Sequence, residues 1–157
     1  MHRALKPAFF CVNFYGWSRA DLFIAAWRSA GFRIVGHVIF HKQYSSSGRF
    51  LRYQHEHAYL LAKADVKFPA RPIVSVIAFT YTGNRLHATQ KPIAALLSWI
   101  ETFCPVAGLV LDPFCGSGLT LVAARSLGPN YIGIELNQEH QRTASRRFGR
   151  AKMMARK

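Results

Sequence analysis

Leu109-Val110-Leu111-Asp112-Pro113-Phe114-Cys115-Gly116-Ser117-Gly118 is the stretch whose reading decides the fold. An apolar run ending in a carboxylate reads as a short buried strand. Gly116 and Gly118 let the backbone bend sharply and approach a ligand closely. A helix is expected over Leu119–Leu127, stopped by Gly128-Pro129, and another strand over residues 131–135. Strand, glycine turn, helix and strand form the repeating unit of an α/β sheet, where ligands bind beyond the carboxyl ends of the strands.

Two carboxylates fall at such ends. Asp112 closes the first strand, and Glu135 closes the next, nineteen residues after Gly116, a spacing that suits a carboxylate gripping two ribose hydroxyls. The helix after the turn offers backbone N–H groups and a partial positive charge. Two of the three glycines of a dinucleotide fingerprint are present, but Leu121 stands at the third position, and no Gly-x-x-x-x-Gly-Lys phosphate loop occurs. A carboxylate beside a pyrophosphate repels it, whereas the ammonium and sulfonium of S-adenosylmethionine favour nearby negative charge. These residues therefore prefer S-adenosylmethionine to NAD. The competing reading is a glycine turn that only packs strand on helix, with Asp112 capping it.

Outward from the turn, residues 8–15 read as a buried strand and residues 32–40 and 57–62 as two more. Ser18 with Asp21 has capping-box spacing, and Leu22, Ala25, Ala26 and Ser29 recur at helical intervals up to Gly31. Residues 43–52, with Ser45-Ser46-Ser47-Gly48, read as a loop. Pro69 and Pro72 break any helix in residues 64–87, where residues 73–79 form a possible strand. Thr89 has the character of a helix N-cap, with Pro92 in the first turn and Ile93, Leu96, Leu97 and Ile100 on one face of a helix over residues 91–103. A last helix starts near Asn137. The expected architecture is a Rossmann-like α/β fold, a largely parallel sheet with helices on both faces, over residues 1–148, followed by a basic tail over 149–157.

The chain has 157 residues, of which 50% are hydrophobic and 18% charged, a globular composition. Its net charge is +14, from 21 basic and 7 acidic residues, and favours a polyanionic partner such as nucleic acid. From Arg142 to Lys157 the charged residues are all basic; Arg146, Arg147 and Arg150, with Arg49 and Arg52 of the polar loop, are candidate phosphate contacts, against a solvated tail as the plainer reading. No apolar run is long enough for a membrane span, so no membrane partner is expected. Cys11, Cys104 and Cys115 are widely spaced and read as free thiols. His55-x-His57 near His41 lacks a further evident ligand, so no metal is expected.

Three segments in order are similar to the N4-cytosine/N6-adenine DNA methyltransferase family: His87-Ala88-Thr89-Gln90-Lys91-Pro92, the Leu111–Gly118 turn, and Tyr131-Ile132-Gly133-Ile134-Glu135-Leu136. Their order resembles the circularly permuted beta class, most strongly over residues 87–148. Upstream, Leu5-Lys6-Pro7, Gly31-Phe32-Arg33, Gly48-Arg49 and Gln54-His55-Glu56 look like the strands after that class's catalytic loop. The resemblance implies that Asp112, Phe114, Gly116 and Gly118 line S-adenosylmethionine, that Glu135 holds its ribose, and that Thr89, Gln90, Lys91 and Pro92 close the pocket. It also implies double-stranded DNA as partner and a cytoplasmic, nucleoid-associated place in a prokaryote or phage.

The family's chemistry uses an Asp/Asn/Ser-Pro-Pro-aromatic loop that holds the flipped base and its amine. No Pro-Pro occurs in this sequence, and in the permuted order that loop precedes Leu5-Lys6-Pro7. The expectation is a chain starting after the catalytic loop, from truncation, a split gene or an internal start. It would hold no catalytic residue of its own and would need a separate chain to methylate. A non-catalytic basic DNA-binding module of the same fold is the alternative.

Overall fold

Aromatic and β-branched residues such as Phe9, Phe10, Val12 and Phe14 favour extended backbone, and Phe9–Phe14 pairs as strand β1 with the later strand β3, Tyr53–Lys63. The computed structural model describes residues 1–46, 50–79 and 93–154, with the side chains of Ser46, Phe79 and 149–154 excepted. Two units, Met1–Thr80 and Tyr81–Lys157, are each described by themselves.

In the first unit β1 leads through a 3-10 turn, Trp17–Arg19, into helix α1, Ala20–Ser29; strands β2, Arg33–Ser46, β3, and β4, Val76–Phe79, complete it. The sheet order is β1-β3-β2-β4, with β3 antiparallel to both neighbours and β4 parallel to β2. A connection as short as residues 47–52 cannot make the crossover that parallel strands need, so β2 and β3 form a hairpin. The parallel pairings thus lie at β2–β4 here and in the second unit. The residues expected as a loop from 43 onward remain in β2 through Ser46, which pairs with Tyr53 beyond an irregularity in the ladder between His41 and Ser46.

Helix α1 corrects two expectations. Ser18 sits inside the 3-10 turn, the N-cap is Arg19, and no side-chain cap bond forms, so Ser18 and Asp21 make no capping box. The buried face is Phe23, Ile24 and Trp27, not Leu22, Ala25, Ala26 and Ser29; Leu22 is 56% exposed. The larger apolar area decides which face packs. Trp27, Phe32 and Leu61 form the core beneath α1, joined by Cys11, Ile34 and Tyr59. The helix ends as the sequence suggests. Gly31 has φ +90°, its N–H donates to Arg28 O (3.0 Å), and Phe32 N–H donates to Trp27 O (2.9 Å), a Schellman closure that also brings Trp27 onto Phe32.

The second unit contains α2, Ile93–Phe103, β5, Leu109–Asp112, α3, Leu119–Leu127, β6, Asn130–Gly133, and α4, Gln138–Met154. β5 and β6 run parallel, with Leu109 opposite Asn130 and Asp112 opposite Gly133. Ile100, Ala123 and Ala124 form the core with Leu96, Leu97, Val110, Leu127 and Tyr131. β5 is not buried throughout: Val110 packs inward while Leu109 and Leu111 are exposed, the two-residue period of a strand buried on one face. β6 stops at Gly133, so Glu135 lies just past the strand instead of ending it. Helix α4 continues unbroken past residue 148.

Leu121, at the third fingerprint position, is buried, and the space it needs comes from Gly133 on β6. A Cβ on Gly133 would collide with Leu121 Cδ1 and stand 2.8 Å from Cys115 Sγ. Gly133→Ala should therefore cost about 1–3 kcal/mol by overpacking, read as a lower denaturant midpoint at unchanged slope, and Leu121→Ala in the same chain should recover part of the loss.

Candidate functional site

The turn after β5 is built almost wholly from backbone bonds. Ile134 N–H donates to Asp112 O (2.9 Å) and Cys115 N–H to Ile134 O (3.0 Å), extending the β5–β6 pairing beyond both strands. Gly118 N–H donates to Cys115 O (2.8 Å). Asp112 Oδ1 accepts Phe114 N–H (3.1 Å), which fixes the carboxylate at the strand end. Gly118 is the N-cap of α3 with φ +80° and no side-chain cap, and a Cβ there would lie 3.0 Å from Ala144 Cβ on α4. Positive φ and the close helix together demand glycine.

Glu135 joins the turn to the next helix. Its Oε2 accepts Gly116 N–H (2.8 Å) and its Oε1 accepts Asn137 N–H (2.8 Å). Asn137 Oδ1 in turn accepts the N–H groups of Glu139 (2.9 Å) and His140 (3.2 Å), an N-cap that starts α4 where the sequence placed it. The Asn137 N–H holds the Glu135 carboxyl below its ordinary 4.5; burial opposes this, and the Gly116 N–H adds to it. Glu135 is therefore an anion at neutral pH. Each oxygen spends one acceptor position on the backbone, and a carboxylate has about four.

Apolar surface flanks these carboxylates. Phe114 is 80% exposed and Leu136, directly after Glu135, is 93% exposed. Burial, and then the charges of Asp112 and Glu135, push the Cys115 thiol up, which keeps it protonated and unreactive. A cavity of about 190 Å³ lies between the turn and α4, lined by Cys115, Leu121, Gly133, Glu135, Ala144 and Phe148 among others. It is smaller than the ~300–1,000 Å³ of small-molecule sites, and neither Asp112 nor Phe114 lines it, so it is a packing gap behind the turn.

The structure brings Asp112, Phe114, Gly116, Gly118 and Glu135 into one turn region. Thr89, Gln90, Lys91, Pro92 and Arg49 lie outside the described residues, as does the side chain of Arg150. Arg52 and Arg146 are exposed; Arg147 is half-buried, and burial lowers its pKa while leaving the guanidinium charged at neutral pH. Sequence reasoning passed over Leu136 and the cap made by Asn137. An apolar residue right after a strand-end carboxylate, and an Asn before Gln138-Glu139, were the available signals. It also passed over a largely buried ion pair between Lys42 Nζ and Glu56 Oε1 (2.8 Å) on the first unit's sheet. Among the described residues no His/Cys/Asp/Glu cluster fit for a metal forms, and no helix is long and apolar enough to cross a membrane.

Residues 72–146 match the family model described as DNA methylase, of the N6/N4 type. By this match and those that follow, the chain is similar to this DNA methylase family. The family segment takes in β4, α2, the glycine turn and the start of α4. Over 148 residues, 94% of the chain, it is 47% identical to YubD of Escherichia coli (strain K12), named as a methylase, and spans 65% of that protein's length. It is 42% identical over 66 residues to the type II methyltransferase M.HinfI of Haemophilus influenzae, covering 42% of this chain and 18% of that one. The crystal structure of the M1.HpyAVI–SAM complex superposes with a TM-score of 0.78 at 24% identity, covering 92% of this chain and 76% of that chain, a likeness of fold. The likeness of fold agrees with the α/β architecture expected from the turn, except that the first unit's sheet is mostly antiparallel where a largely parallel one was expected, and the matching family model is the one the sequence resembled.

Because folding lowers the Glu135 pKa, its contribution to the turn is fully present above 4.5 and lost as pH falls through the depressed value. Carboxyl-detected NMR should show Glu135 titrating below 4.5. Glu135→Gln should flatten the acid limb of the melting curve; an unchanged acid limb would mean that the two backbone bonds do not stabilise the fold.

Proposed function

We propose that this chain binds S-adenosylmethionine at the Asp112–Gly118 turn and Glu135, and supplies the cofactor-binding portion of a site-specific DNA methyltransferase acting on the exocyclic amine of adenine N6 or cytosine N4. The observation that carries this reading is the Glu135 carboxylate, charged, aimed by Gly116 and Asn137 N–H groups, with acceptor capacity left on each oxygen. A ribose diol offers two O–H donors to such a group. Asp112 adds negative charge for an ammonium, which a pyrophosphate would not tolerate. The exposed Phe114 and Leu136 give a flat purine apolar surface to rest on. When bound, the cofactor supplies an electrophilic methyl group on sulfur. Thr89, Gln90, Lys91 and Pro92 close the other side of the pocket, and Arg49, Arg52, Arg146, Arg147 and Arg150 contact phosphates of double-stranded DNA. M1.HpyAVI, solved with SAM, and the type II enzyme M.HinfI support the reading by fold and by sequence.

Calorimetry tests it. S-adenosylmethionine and S-adenosylhomocysteine should bind and NAD should not, and Glu135→Ala should weaken the first two by roughly tenfold to a hundredfold, the loss of hydrogen bonds to a charged group. NAD binding in preference would sink the reading.

No Pro-Pro-aromatic loop lies within these 157 residues. That favours a portion that does not transfer methyl groups by itself and relies on a catalytic loop supplied from outside them. The purified chain, given substrate DNA and S-adenosylmethionine, should leave the DNA unmethylated; detectable transfer would refute this part. Deleting residues 149–157 should weaken duplex binding and flatten its salt dependence if the tail meets phosphates.

A further inference from the structure

One ring holds the junction between β1 and α1. Tyr15 lies against Phe23 and Trp27 of α1 (6.1 and 5.8 Å between centroids) and against Tyr59, His57 and His37 of the sheet (5.1, 5.2 and 6.5 Å). Its Oη is hydrogen-bonded to His37 Nε2 (3.2 Å). The segment that follows has little else to fix it. A Cβ on Gly16 would meet nothing within 4 Å, the 3-10 turn Trp17–Arg19 contains no buried residue, and neither that turn nor α1 begins with a side-chain cap bond. Trp17 stacks on Tyr53 of β3 (5.3 Å, 27°) while remaining 55% exposed.

The sheet's side of this contact is rich in histidine. Strand alternation puts His55, His57 and Tyr59 of β3 on one face, with His37 of β2 opposite Tyr59 and His41 opposite His55. His57 is the central imidazole: His55 meets it edge-on at 4.7 Å, and His37 lies 5.7 Å away at 24°. Among the described residues these rings form no metal cluster. The charges acting on His57 are those of His55, His37 and one carboxylate, Glu56, which already holds Lys42 Nζ (2.8 Å). The other elements around the group add no further carboxylate to it. Phe23 and Trp27 of α1 are uncharged, β4 beside β2 has no ionisable residue, and Arg19 and Arg52, both exposed, adjoin Trp17 and Tyr53 in sequence with positive charge only. Burial, and then Tyr59, push Tyr15 up to about 12, so it stays neutral in acid. A proton on His57 thus faces two further imidazoles across less than 6 Å. Burial, then His55 and His37, hold His57 below its ordinary 6.5, against the pull of Glu56.

We propose that His57 is an acid-operated latch on the β1–α1 junction. Neutral, it seats Tyr15 on the sheet. Protonated, it repels His37 and His55, parts the rings, and frees the 3-10 turn with the first turn of α1. The β1-β3-β2 ladder consists of backbone bonds, does not depend on this charge, and stays formed. Because the closed state lowers the His57 pKa, the latch is fully closed above 6.5 and opens as pH falls through the lowered value. Each unit of that lowering shifts the closed-to-open ratio about tenfold.

The test uses the full chain from about pH 7 to about pH 5, the range in which an imidazole titrates. Trp27 and Trp99 are buried, so iodide quenching of tryptophan fluorescence reports Trp17. Going from 55% to full exposure, its quenching should rise about twofold across this range, with far-ultraviolet circular dichroism nearly unchanged. His57→Phe, which keeps a ring and takes no proton, should abolish the rise. His55→Gln removes one repelling neighbour and leaves the contacts of Tyr15 in place; it should bring the His57 midpoint, read by imidazole NMR, up towards 6.5 and shrink the quenching change. A flat quenching profile in the unaltered chain, a rise that survives His57→Phe, or a His57 midpoint unmoved by His55→Gln overturns the latch. A rise that comes with loss of the strand signal is unfolding of the sheet, and overturns it as well.

Discussion

The Glu135 carboxylate is the point on which the second unit's functional geometry depends. Its two oxygens accept N–H groups from Gly116, in the turn after β5, and Asn137, just before α4. One side chain thereby fixes the glycine turn and the beginning of α4. Hydrogen bonds to an ionised acceptor are roughly twice as strong as neutral ones, and here they also aim the carboxylate. Asn137 continues the chain of contacts by capping α4. A ligand meeting Glu135 would meet a group already oriented, without the entropy cost of ordering a free side chain.

That arrangement needs α3 and β6 close together, and the solution differs from a dinucleotide fold. There the third glycine of the helix lets helix and strand approach. Here the helix carries Leu121 and the strand carries the glycine, Gly133, whose missing Cβ leaves room for Leu121 and the Cys115 sulfur. The feature that argued against NAD in the sequence is thus also a packing exchange between two elements.

The first unit follows a different logic. Its sheet is mostly antiparallel because a short hairpin joins β2 to β3. Trp27, Phe32 and Leu61 bury one end of a face, and the aromatic and histidine rings continue along the rest of it. Gln43, Tyr44, Ser45 and Ser46, read from the sequence as part of a loop over residues 43–52, belong to β2, whose backbone conformation is indifferent to side-chain polarity.

The sequence by itself determined the elements set by local rules. Leu109–Asp112 and Leu119–Leu127 fall where apolar runs and glycines placed them, Gly31 and Gly128 end their helices through positive φ, and Asn137 starts the last one. These features depend on residues within a turn or two, which a linear reading contains. Three motifs in permuted order also pointed to the matching family. The tertiary structure alone decided which face of α1 is buried, how far β2 and β3 extend, where Leu121 finds its space, what holds Glu135, and that Trp17 lies on Tyr53. Each of these is a contact between residues far apart in the chain, chosen by packing area or ladder register, and no spacing along the sequence records it.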